Sequence, residues 1–152
     1  MITHEVADKI DQLVDGVALR LKTAEEEIVS ARPGEDKWSM KEIIGHLLDS
    51  AVNNHHRFVR TQDAGDFEFP GYEQNEWVSR QNYQDSDWTL LLELWRLYNH
   101  HLAHVIRQLP EERLYTVCRI GSYEPCTLRF IVEDYLDHMN HHLKQVDIQA
   151  AD

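Results

Sequence analysis

Cysteine and proline are scarce in this chain and basic residues are outnumbered. Its 152 residues include two cysteines, four prolines, and 15 lysines and arginines against 27 acidic residues. Each shortage excludes something. The spacing of Cys118 and Cys126 matches neither a redox C-x-x-C pair nor a zinc knuckle, so both read as reduced, structural thiols. Cys126 stands beside Pro125 with nothing to activate it, and no Ser-His-Asp or Cys-His signature is present. A net charge of −12 with no basic stripe excludes a nucleic-acid surface, because phosphate contacts need clustered lysine and arginine. No stretch approaches the roughly 20 apolar residues that cross a bilayer, and the N-terminal MITHEVADKID is charged where a secretory leader would be apolar. A cytoplasmic protein with no membrane partner is expected. The length suits a single domain over 1–152, long enough to bury a core without disulfides or a structural metal. A bound metal would therefore serve function.

What the chain does have is helical periodicity. Val6, Ile10, Leu13, Val17, Leu21, Ala24 and Ile28 recur every three or four positions, which predicts one long amphipathic helix ended by Pro33-Gly34. A second helix is announced by a capping box, Ser39 with Glu42, and by a hydrophobic staple of Trp38 on Ile43. Its stripe of Met40, Ile44, Leu47, Ala51 and Phe58 runs to about Gln62. Periodicity then breaks over residues 63–86, where Gly65, Pro70 and Gly71 fall. Within that break NEWVSRQNY suits a short helical turn, with Trp77 and Tyr83 as loop anchors over a bundle end. A third helix, Asp87 to Leu109, carries Trp88, Leu91, Trp95, Tyr98, Leu102, Val105 and Leu109 on one face, and Pro110 closes it. After a connector holding Gly121 and Pro125, Thr127 caps a fourth helix that runs to about Gln149. Four long amphipathic helices and no strand signal predict an all-α four-helix bundle, with a long, partly structured connection between the second and third helices.

Histidine is the informative residue: there are ten. Two pairs stand four apart, His100/His104 and His138/His142, against roughly 0.6 such pairs expected by chance at this frequency. Residues at i and i+4 lie about 40° apart around a helix and roughly 5–6 Å apart at Cβ, so two imidazoles reach one ion. Helical phase separates the pairs. With the apolar face of the third helix set around Tyr98, His100 and His104 turn to water, while His101 sits nearer the core edge. In the fourth helix His138 and His142 lie along one margin of the stripe through Leu128, Ile131, Tyr135, Met139, Leu143 and Val146, and His141 points away. His46 holds a comparable margin beside Ile43 and Leu47, whereas His55 and His56 read as rim residues. Either His46, His138 and His142 meet at one inter-helix seam as a metal site with open positions, or they are hydrogen-bonded interfacial histidines without metal. Asp134 lies one turn before His138 on the same margin and Gln145 about one turn after His142, so both are candidates to orient ligands or hold water. Asp134 is the candidate proton-handling residue.

The segments WSMKEIIGHLLDS, PGYEQNEWVSRQNY and DYLDHMNHHLKQ, in this order and with this helical frame, resemble the DinB-like superfamily. These metal-binding bundles include YfiT-type metal-dependent hydrolases and bacillithiol S-transferases. The resemblance places the family's metal histidines on His46, His138 and His142. It implies a divalent transition metal, nickel or zinc, and a homodimer. It also implies a small-molecule substrate, with a low-molecular-weight thiol as one possible class. Three neutral imidazoles leave such an ion its full charge, enough to acidify a water for hydrolysis or a thiol for transfer. The alternatives are a non-enzymatic, stress-linked metal- or ligand-binding bundle and a metal-free structural dimer.

Overall fold

The computed structural model describes residues 2–63 and 67–151; Gly65, expected in the connecting loop, lies outside them. The long helices are α1 (Ile2–Leu21), α3 (Met40–Arg60), α5 (Trp88–Arg107) and α6 (Leu128–Ala151), with short helices α2 (Glu26–Ser30) and α4 (Gln74–Gln81) between them. The long four form a bundle in which α1 packs on α5, α5 on α3, α3 on α6 and α6 on α1. The first and second long helices are thus diagonal, as are the third and fourth. A diagonal link has to cross the end of the bundle, and that takes chain. Residues 22–39 and 108–127 supply it in place of the few-residue turns of an up-and-down bundle.

The predicted stripes are the core. Met40, Ile44, Leu47, Ala51 and Phe58 of α3 are all buried, and so are Leu128, Ile131, Tyr135, Met139, Leu143 and Val146 of α6. The start of α3 follows from its capping box: Glu42 donates its backbone N–H to the Ser39 hydroxyl, and the Glu42 carboxylate accepts from the Ser39 N–H. Asp87 caps α5 through the Leu90 amide, and Thr127 caps α6 through the Phe130 amide.

Three expectations need correction. The first helix does not run to Ile28: it ends at Leu21, where the Trp88 indole donates to the Leu21 carbonyl, and a separate turn, α2, begins after Glu25. The break changes the helical phase, so Val29 is buried while Ile28 is 47% exposed. Second, three short strands are present among the described residues, β1 (Phe67–Phe69), β2 (Val117–Ile120) and β3 (Cys126–Thr127), in the order β1-β2-β3. β1 runs parallel to β2, and β2 antiparallel to β3. Pairing Phe67 with Cys118 joins positions far apart in the chain, so no local pattern carries it. Gly121 turns β2 toward β3 at φ +52°, a conformation that favours glycine, and donates to the Phe69 carbonyl. Cys118 and Cys126 are cross-strand partners with free thiols; burial, and then Cys126 beside it, push the Cys118 thiol up to about 12. Third, the face of α5 is centred on Trp95, Asn99, Leu102 and Ile106, all fully buried, rather than on Tyr98.

Gly45 sits inside α3 for lack of a side chain. The Tyr83 ring lies where a Cβ would be, held by donation from its hydroxyl to Asp49 at 2.6 Å, with the Gln81 side chain 2.9 Å from the same oxygen. Gly45→Ala is therefore expected to lower stability by about 2 kcal/mol or more through overpacking, although alanine is the better helix former by about 1 kcal/mol. Urea unfolding measures this; a variant as stable as wild type would mean that Tyr83 does not pack there.

Candidate metal centre

His46 projects from the middle of α3, and His138 and His142 from successive turns of α6, the helix packed beside it. One nitrogen from each lies within 4.8 Å of the others. Ring centroids are 5.0 Å apart for His46 and His138, and 4.6 Å for each of the other two pairs. The three expected residues are thus brought together. Nε2 of His46 and Nε2 of His138 are 3.1 Å apart. Two imidazole nitrogens on one ion at about 2.05 Å stand roughly 2.9 Å apart at a right angle and roughly 3.4 Å apart in a tetrahedron. The observed separation falls between these limits.

The donor set fits a cation on chemical grounds too. His46 is 0% exposed, and its Nδ1 has no hydrogen-bond partner among the described residues. Burial, then the neighbouring His142 and His138, push the His46 imidazole down to about 3. Burial, then His142 and His141, push His138 down to about 4. His142 is lowered mainly by burial, against which its contact with Gln145 acts. All three are therefore neutral at pH 7, the form that ligates. Nδ1 of His142 lies 3.0 Å from the Gln145 carbonyl oxygen, an acceptor that places the proton on Nδ1 and leaves Nε2 its lone pair.

Other expected residues fall elsewhere. Asp134 is exposed and has no hydrogen bond to any histidine among the described residues. It lines, with His138, a cleft of about 140 Å³ between α3, α6 and the small sheet. Burial, then Asp137 nearby, raise its carboxyl, while Arg57 opposes the shift. His100 does not turn to open water: it lies 2.6 Å from Asp11 and 2.7 Å from Asp15 of α1. Burial lowers it, but those two carboxylates win and the net shift is upward. His101, expected near the core edge, is exposed and packs its ring against His55, as the true centre of the α5 face requires. His55 is half-buried, with Nδ1 2.7 Å from the Tyr98 hydroxyl. Trp77 packs at a tilt against Tyr72, and Tyr83 is buried against α3, so both anchor the connection.

Three contributors were not picked out in the sequence. Trp38, read only as a staple, tilts over His46 at 4.8 Å and His142 at 6.1 Å and shields the cluster from one side. Asp49, three residues after His46, is buried; burial pushes its carboxyl above the usual carboxylate range, and it accepts from Tyr83 and Gln81. Arg57 stands eleven residues after His46, which is about three full turns and so the same face of α3. Helical spacing from His46 was the available signal for the last two.

A model of the DinB superfamily matches residues 6–146, nearly the whole chain. The chain belongs to the DinB superfamily. Among its relatives is a Bacillus subtilis (strain 168) protein named "Putative metal-dependent hydrolase YfiT", 23% identical over 154 residues, spanning 95% of this chain and 84% of that one. The solved structure of YfiT, described as a four-helix bundle of unusual topology, superposes with a TM-score of 0.85 at 16% identity, covering 98% of this chain and 86% of the other. At that identity the likeness shows the fold, and it accords with the diagonal connections above.

Proposed function

We propose that this DinB-superfamily chain is a metal-dependent hydrolase of a small molecule. In this reading His46, His138 and His142 hold one divalent transition metal, zinc or nickel. The observation that carries it is the convergence of three neutral, largely desolvated imidazoles from two helices, with two Nε2 atoms 3.1 Å apart. YfiT, the relative named for such an activity, supports the reaction class. A bound ion supplies Lewis-acid charge that acidifies a water or thiol placed beside it. The chain's own residues do the rest. Gln145 fixes the tautomer of His142, Trp38 excludes water from one flank, and Asp134, its carboxyl raised by burial, takes up a proton at the cleft that His138 lines. Because a thiol is acidified as readily as water, thiol S-transfer is the second reaction to test.

Two measurements test this. Elemental analysis of protein purified without an affinity tag or nickel resin is expected to give one metal per chain. A panel of small esters and amides, with and without thiol acceptors, is expected to show turnover that a chelator abolishes and zinc or nickel restores. Sub-stoichiometric metal, or turnover indifferent to the chelator, would remove the reading. The reading also includes a second copy of the chain as partner, over the exposed row Leu90, Leu94 and Leu97 of α5. Sedimentation at the monomer mass would remove that part.

A further inference from the structure

Arg57 is 9% exposed and makes no ion pair among the described residues. Its one side-chain hydrogen bond there is a long one, from Nη1 to the Asn54 side-chain oxygen Oδ1 at 3.4 Å. A guanidinium has five N–H donors and stays charged at any physiological pH. Buried charges are ordinarily paired, since desolvating one without a partner is costly. Arg57 lines a cleft of about 140 Å³ whose wall also includes Ser50, Asn54, Tyr72, Asp134 and His138. The one carboxylate on that wall, Asp134, forms no ion pair with Arg57 among the described residues. Ligand sites for whole drug-sized molecules run to about 300–1,000 Å³, so this cleft admits a head group and leaves the rest of a molecule outside it. Net charge sharpens the point. On a chain of charge −12 the field repels anions, and one that binds does so at a site built for it.

We propose that Arg57 is the anion-recognition residue of the substrate site: the molecule presented to the histidine cluster carries a carboxylate or phosphate group, which the guanidinium grips in a two-pronged hydrogen bond. This rests on the reading that His46, His138 and His142 are the reacting centre, because His138 and Arg57 share the cleft. A planar fork matches both oxyanions, so the class is fixed while the choice between them is left to the experiment.

The test is isothermal titration of the full-length protein, metal-loaded and chelator-treated, with succinate, methylphosphonate and the neutral control succinamide. At least one anion is expected to bind both forms with similar affinity, and succinamide is expected to bind neither. Arg57→Met is expected to weaken the anion about 10- to 100-fold, with Arg57→Lys between it and wild type. Binding unchanged in Arg57→Met, equal binding of succinamide, binding only in the metal-loaded form, or no binding of either anion would each overturn the assignment. Should Arg57→Met fail to fold, phenylglyoxal labelling of the wild-type protein decides. The peptide carrying Arg57 is protected by the bound anion if the assignment holds, and labelled equally with and without it if not. Anion binding by the metal-free form stands even where metal stoichiometry fails, so the two readings fail separately.

Discussion

His138→Ala is expected to leave a folded helical chain that binds zinc or nickel at least about a hundredfold more weakly than wild type. Losing a group that merely supports a ligand costs about 10- to 100-fold in metal affinity, and His138 is argued to be a ligand. Its Nε2 is 3.1 Å from that of His46, so its removal opens one corner of a three-membered set. Folding survives because His138 is half-buried at the margin of α6, whereas Met139 and Tyr135 carry the core contact. His142→Ala is expected to behave alike. His104→Ala is the control: its ring is exposed on α5, and its loss leaves affinity unchanged. Competition with a chromophoric chelator measures all three. Equal affinity in wild type and His138→Ala would show that the metal, if bound, is bound elsewhere.

The metal-free protein is expected to lose stability as pH falls from 6.5 to 5, above the range in which the lowered carboxyls of Glu42 and Asp15 titrate. The His46 imidazole sits near 3 when folded against 6.5 when unfolded. Below 6.5 the unfolded chain takes up a proton that the folded chain refuses, so acid favours unfolding. At about 1.4 kcal/mol per pH unit, His46 alone accounts for about 2 kcal/mol over this window, and half-buried His138 and His142 act in the same direction. His100 has the opposite sign. Against the lowering effect of burial, Asp15 and Asp11 raise its pKa, so its contribution is fully present below 6.5 and is lost only as pH rises. Glu42 and Asp15 are held below their ordinary values near 4.5 and 3.8, so the stability they confer is lost only at lower pH. Loading with metal adds stability at neutral pH and steepens the same transition, since protonation and ligation compete for the same nitrogens. The check is the urea midpoint of chelator-treated protein against pH. A flat profile between 6.5 and 5 would show that these imidazoles are not buried neutral.

Local chemistry reached far along this chain. The capping box at Ser39 and Glu42 placed the start of α3 because both of its partners lie within four residues. The α3 and α6 stripes were legible because a buried helix face repeats every three to four positions whatever it packs against. The margin shared by His138 and His142, and the solvent side of His104, are consequences of the same period. Where phase had to be anchored on a tertiary contact, inference slipped. The face of α5 is set by α1 and α3 packing on it, a placement that buries Trp95 and Asn99, turns His101 outward and commits His100 to the acids of α1.

Residue order alone determined that this is a helical bundle with three marginal histidines on two helices, since amphipathic period and capping are short-range properties written in neighbouring side chains. Tertiary structure alone decided that α1 stops at the Trp88 indole, that β1 pairs with β2 across some fifty residues, and that α3 lies beside α6. It alone brought His46 within reach of His138 and left Arg57 buried in the cleft without an ion pair among the described residues. The reason is physical. Burial, and the loss of water it imposes on an imidazole or a guanidinium, depends on which distant elements close over a side chain, and no local period encodes that.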